Sequence, residues 1–261
     1  MMSLATLDMV KRSKQIKIEK LLNNIAPVLT DDDLFASGEL FKGKVYLTVT
    51  SPDTGRVWLD RNLGATQVAT SSTDSAAYGD LYQWGRATDG HQSRTLDVAG
   101  SNSTNETTNT TMTQATTITP ADGKFIKNNT TPFDWTTAGS SNAAREAAWA
   151  DGGANDICPA GFSVPTIDEL IADTVHDGTY TGSNDITNSA TAFTSFLKLP
   201  VVGDRSRSNG ALGGVGSFAS LWSRSANGSD ARRVGFSSGG ASISSNYRAV
   251  GLSVRCIGDQ A

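Results

Sequence analysis

Apolar and polar positions alternate cleanly in only a few places along this chain. The pattern VYLTVT, a turn at Pro52, Asp53, Thr54 and Gly55, and then RVWL predicts a β-hairpin over residues 44–59. A second alternating stretch, VGLSVRC, puts Val250, Leu252 and Val254 on one side of a strand. The apolar run FTSFLKLPVVG predicts a strand over residues 193–203, with an irregular loop beside it at 204–219. Helical signals are strongest after Pro165, where Thr166 stands as N-cap and Glu169 falls at the third helical position. A turn near TTPFDW and then NAAREAAW predict a short Ala-rich helix ending near Trp149. At the N-terminus, Leu4, Leu7, Val10, Ile18, Leu21, Leu22 and Ile25 recur around a basic middle and predict an amphipathic helix that stops before Pro27. QIKIEK leaves a short strand open as an alternative there. Residues 1–43 are accordingly expected to be a helical extension for assembly or docking, and residues 44–261 one domain.

From residue 223 to 247 the alternation nearly vanishes. Widely spaced apolar residues are separated by Ser, Gly, Asn, Arg, Asp and Tyr. A Gly/Ser-rich surface loop accounts for the composition. The return to a buried-strand pattern after Arg248 favours a held surface instead, because flexible linkers do not end in a core strand. Small hydroxyl and amide side chains with a Tyr and several Arg are the vocabulary of adaptable binding surfaces.

Composition narrows the function. At 261 residues the chain can bury a substantial core. A net charge of -4 gives no basic field, so nucleic acid is not expected as a partner; Arg224, Arg232, Arg233 and Arg248 are a local exception. No apolar run reaches the length of a membrane span, so no membrane insertion is expected, and the start lacks the apolar core of a secretion signal. His91 and His176 have no His or Cys at a metal-ligand spacing, and Asp31, Asp32 and Asp33 suit a helix cap better than a calcium loop. No intact G-x-G-x-x-G is present, and no nucleophile elbow is expected. Asp151 with Asp156 and Asp168 with Glu169 are explained by capping and solvation, so no enzyme, cofactor or metal is expected. Tyr78, Tyr82 and Trp84 are expected in the core, and the Thr-rich residues 100–119 in an inserted loop or thin ribbon.

The blocks GRVWLDRNLGA, YGDLYQWGRATDGHQ, ICPAGFSVPTIDEL, LWS, ARRVGFSSG and NYRAVGLSVRCI, in this order, resemble the C-type-lectin-fold variable proteins of diversity-generating retroelements. They are similar also to the Fibrobacter succinogenes major paralogous domain and, more distantly, to the formylglycine-generating enzyme fold. The resemblance implies an α+β C-type lectin fold of the formylglycine-generating-enzyme-like branch. It also implies a variable region at about 221–256 whose codons a retroelement rewrites, and Cys158 beside Cys256. A bridge between these two cysteines, or two buried free thiols, both remain open on the sequence.

On this footing the expected ligand-binding residues are Ser225, Asn227, Ser229, Asp230, Arg233, Gly235, Ser237, Ser238, Ser242, Ser244, Ser245, Asn246 and Tyr247. Trp222, Phe236, Ile243, Val254 and Cys256 are expected to hold the frame. Alanine at Arg233 or Tyr247 is expected to change ligand choice with little loss of stability. The expected function is receptor binding on a phage or archaeal-virus particle, toward a host surface protein or glycan. The assembly is open on the sequence: a homotrimer through the N-terminal helix, docking of that helix on its own domain, or docking on a virion structural protein. The alternatives are a bacterial cell-surface adhesin of the same fold without diversification and a formylglycine-generating-type enzyme. The sugar-binding Glu-Pro-Asn and Trp-Asn-Asp motifs of animal lectins are missing, so lectin names a shape here.

Overall fold

The computed structural model describes residues 39–94, 110–120, 123–138, 141–175 and 185–259. The helix expected at residues 4–25 and the Asp31 to Asp33 cap lie outside them. Strands β1 (Glu39–Phe41) and β2 (Lys44–Tyr46) pair with each other, and the expected hairpin is formed by β3 (Thr48–Thr50) and β4 (Val57–Leu59), with Val49 opposite Trp58. Gly55, at φ +72, allows the turn that reverses the chain. There follow β5 (Tyr82–Gln83), β6 (Thr110–Thr111), β7 (Phe125–Ile126), helix α1 (Asn142–Ala148), β8 (Phe162–Ser163), α2 (Ile167–Asp173) and α3 (Ser189–Thr194). The chain ends through β9 (Asp204–Arg205), β10 (Leu212–Gly213), β11 (Phe218–Asn227), β12 (Asp230–Ser237), β13 (Gly240–Asn246), β14 (Gly251–Leu252) and β15 (Ile257–Gly258). The architecture is mostly β with few helices. None of these helices is long and apolar enough to cross a membrane.

Both helix starts follow the sequence. Ser141 Oγ accepts the Ala144 N–H, and Thr166 and Glu169 satisfy each other's backbone in a capping box. The run at 193–203 is corrected: it is no strand. Asn188 and Thr191 cap a helix that already contains Phe193 and Thr194, and Pro200 has no N–H to give a ladder. Leu197, Leu199, Val201 and Val202 are buried all the same. The supposed loop at 204–219 contributes β9, β10 and the start of β11.

Residues 223–247, where alternation nearly vanishes, form most of a three-stranded antiparallel sheet, β11-β12-β13, with a register shift between Trp222 and Ala226. Period-2 alternation is present but muted, because one face is apolar and the other carries Gly and Ser. Leu221, Val234 and Ile243 are cross-strand partners on the apolar face, with Ala219, Phe236 and Ala241 one step along. That face meets α2 and α3 and joins a cluster with Leu170, Ala192 and Leu199. Gly228-Ser229 and Ser238-Gly239 close the two hairpins, with φ +60 at Gly228.

A second cluster unites the remaining blocks: Tyr46, Leu59, Tyr82, Trp84, Trp149, Phe162, Trp222, Leu252, Val254 and the disulfide between Cys158 and Cys256. Of the two states left open for the adjacent cysteines, the bridge is the one formed. All five tryptophans are fully buried.

So many short strands leave long irregular connections, and buried arginines tie these down. Arg255 donates to the Leu59 and Leu197 carbonyls at 3.1 and 2.9 Å, and Arg205 to Gly210 and His91 carbonyls at 2.9 and 3.1 Å. Arg145 pairs with Asp134 and donates to the Trp84 carbonyl. Charged donors spent on backbone acceptors satisfy both partners away from water.

His91 belongs to the same framework. Its Nε2 accepts the Gln83 N–H at 3.0 Å, and Nδ1 lies 2.7 Å from Asp89 Oδ1, so the ring is neutral with its proton on Nδ1. Burial pulls its pKa down to about 4, opposed by the hydrogen bond that Nδ1 donates to the Asp89 carboxylate. An unfolded chain takes up this proton near the ordinary value of about 6.5, so the histidine's contribution to stability is lost as pH falls from there toward about 4. Asp80, pushed up to about 6 by burial, titrates with the opposite sign: the folded chain binds its proton more readily, and its contribution improves as pH falls. A histidine NMR titration of the folded protein is expected to show one ring with no midpoint above pH ~5; two midpoints near ~6.5 would mean that His91 is not held neutral.

Candidate ligand-binding face

Away from α2 and α3, the second face of the β11-β12-β13 sheet is divided. At one end Trp222 and Ala231 turn into the core. At the other a depression of about 450 Å³ opens, lined by Asp204, Phe218, Ser220, Arg233, Gly235, Ser237, Gly240, Ser242 and Asn246 among others. Alternation explains the grouping: Arg233, Gly235 and Ser237 follow one another on one side of β12, with Ser220 opposite Gly235 on β11 and Ser242 opposite it on β13. Ser244, opposite Arg233, shares this side by register.

Gly235 lines the depression and is itself buried. Its role is to leave room. A Cβ there would overlap Arg233 Nη1, so the absent side chain lets the guanidinium lie across the strand, where Nη1 donates to Ser220 Oγ at 3.0 Å. Burial pulls the Arg233 pKa down and pushes that of Asp204 up, each opposed by the other's charge. Gly235→Ala is expected to displace the guanidinium outward while the strand stays paired. A crystal structure of this variant with Arg233 still bonded to Ser220 would contradict that.

The other expected residues do not share this depression. Asn227, Asp230 and Ser245 lie by register on the opposite side of the sheet, where Asn227 Nδ2 donates to Ser245 Oγ at 2.8 Å. Ser229 and Ser238 sit exposed in the two turns. Ser225 serves the frame: its Oγ accepts the Ile167 N–H at 3.0 Å, at the edge of a smaller hollow of about 370 Å³ beside α1 that also contains Glu146 and Arg224. Tyr247 is exposed but not free. Its ring stacks on Phe133 at 4.5 Å, and Arg207 lies over both rings at 3.9 and 4.8 Å. Replacing Arg233 or Tyr247 therefore removes native contacts as well as exposed groups.

Arg248 is no surface charge. It is buried over the Trp84 ring and donates to the Gly228 and Asp230 carbonyls and to Asn142 Oδ1, which fixes the β11–β12 turn against α1. The frame residues Trp222, Phe236, Val254 and Cys256 are buried, and Ile243 is half-buried against the same core. Asp204, Phe218 and Ser220 escape the sequence reading, because their membership depends on β9 and β11 meeting through the Gly203–Ala219 bridge. Comparison with known proteins finds no matching family model, no matching curated protein and no matching solved structure.

Proposed function

We propose that this chain is a noncovalent receptor-binding protein of the C-type lectin fold, formylglycine-generating-enzyme-like branch, carried on a phage or archaeal-virus particle, with a C-terminal face diversified by a retroelement. The observation that carries the reading is the division within one sheet. Small polar side chains on β12 and β13 surround an open depression, while the same strands are anchored by Val234, Phe236 and Trp222 in the core. Such a surface can exchange outward groups without repacking what holds it. The blocks that resemble the lectin-fold family support the fold assignment by meeting one another: Trp58 pairs with Ile257 between strands, and Trp84, Trp222, Cys158 and Cys256 share one cluster.

Noncovalent action is supported by the bridge. Both cysteines are buried and joined to each other, so neither offers the reactive thiol that formylglycine-type chemistry needs. Weak single sites gain about 10²- to 10⁴-fold when several copies on one particle engage together.

Two results test this. A reverse transcriptase and a near-identical copy of the 221–256 coding segment beside the gene are expected; their absence removes the retroelement. Fluorescently labelled, multimerised protein is expected to be retained on host cells, and Ser242→Trp to abolish retention with an unchanged melting midpoint. Retention undiminished by Ser242→Trp would count against this face as the receptor site.

A further inference from the structure

The β11-β12-β13 sheet ends in an open edge. Its last strand has a neighbour on one side only, and among the described residues no backbone hydrogen bond leaves its outer edge. Ladder bonds alternate along an antiparallel pair. Counting from Ser237 and Gly240, which close the two-residue turn as a bonded pair, Ser242, Ser244 and Asn246 direct their N–H and C=O groups to β12, and Ala241, Ile243 and Ser245 point theirs outward. Natural edges are guarded by charge, proline or a bulge, because an unpaired strand recruits others. This one has none of the three: Gly240–Asn246 reads GASISSN and stays in register with β12 without a shift.

The strand also complements itself. Turned end for end about Ile243, it sets Ile243 against its own counterpart, Ala241 against Ser245 and Ser242 against Ser244, with no like charges opposed. The outward backbone groups of Ala241, Ile243 and Ser245 then satisfy one another. The apolar side gains as well: α2 packs on β11 and β12 and α3 on β12, and Ala241 and Ile243 at the edge are only half-buried. We propose that β13 pairs antiparallel with β13 of a second copy of this chain, centred on Ile243, so that two three-stranded sheets become one. The two-fold axis of such a pair stands perpendicular to the sheet, so both depressions open on the same side, and Ser242 lies beside Ser244 of the partner subunit. The second copy thereby extends the rim of the depression. Backbone groups hold the join, so the side chains at 242 and 244 stay exchangeable.

A seven-residue strand is small for a stable interface, so the dimer is expected to dissociate on dilution. Sedimentation of the full chain over a concentration series is expected to show monomer passing to dimer. Ala241→Pro removes an outward N–H and leaves the β12 ladder intact, and is expected to weaken association about tenfold with an unchanged β-sheet signal. Cross-linking reads the register, and serves also if the proline variant misfolds. Ser242→Cys mixed with Ser244→Cys is expected to give a disulfide-linked heterodimer under mild oxidation, because the two positions face each other across the join; each variant alone holds its two thiols on a diagonal, out of reach. A chain that stays monomeric at its highest soluble concentration, or cross-linking no greater in the mixture than in either variant alone, overturns the proposal. So does equal association of the parent and Ala241→Pro, which would place the contact elsewhere, as on the exposed Leu40, Val45 and Leu47. These outcomes leave the receptor reading to its own test, retention on cells.

Discussion

Replacing Trp222 by alanine is expected to cost about 3–5 kcal/mol of folding stability, the scale for emptying a large buried aromatic site. The residue is fully buried, its Nε1 donates to the Tyr82 carbonyl at 2.8 Å, and its neighbours Trp84, Leu252 and Val254 belong to the same cluster. Truncation leaves both a cavity and an unpaired carbonyl in the centre of the frame. The Trp222 N–H donates to Ser253 at 2.9 Å, which is where the sheet joins the strand that follows it. Damage there loosens the binding sheet from the rest of the molecule. Ser242→Ala and Asn246→Ala, at the rim, are expected to stay within about 0.5 kcal/mol of the parent. Urea unfolding of the three variants decides between a frame with a separate rim and a uniformly packed sheet. Equal losses would indicate the second.

Breaking the disulfide is the other large effect. Cys158 and Cys256 are 98 residues apart, and in the chain-entropy account closing a loop of that length is worth up to ~4.7 kcal/mol. Both cysteines lie in the cluster that contains Trp222, and the second is followed at once by β15, which pairs with β4 and β8. The bridge thus ties the end of the chain to the segment before α2. Cys158→Ser combined with Cys256→Ser is expected to lower the denaturant midpoint by an amount worth about 3–5 kcal/mol, without abolishing the β-sheet signal. An unchanged midpoint would mean that packing alone holds this join.

What was legible in the sequence is what local chemistry determines. The Pro52-Asp53-Thr54-Gly55 turn, the Thr166 and Glu169 capping box, the Ala-rich helix and the burial of Tyr78, Tyr82 and Trp84 all follow from neighbouring residues. The long meander did not show, although its Gly228-Ser229 and Ser238-Gly239 turns were there to be read. Glycine and serine on one face hide an alternation that Leu221, Val234, Phe236 and Ile243 carry on the other. Asp204 and Ser220 join the depression only through tertiary pairing, and Tyr247 meets Phe133 and Arg207 across stretches of more than a hundred and of forty residues. Such contacts leave no mark on periodicity. Arg248 was visible as a charge, but its burial depends on carbonyls that the β11–β12 turn presents.

The central claim is that the outward positions of β12 and β13 can be exchanged while the frame stays folded. The direct measurement is the distribution of melting midpoints in a library that varies Ser237, Ser242, Ser244 and Asn246 and keeps Trp222, Val234, Phe236 and Cys256 fixed. Most members are expected to melt within about 4 °C of the parent, the shift that ~1 kcal/mol produces in a domain of this size. A library in which most members are unfolded at room temperature would contradict the account.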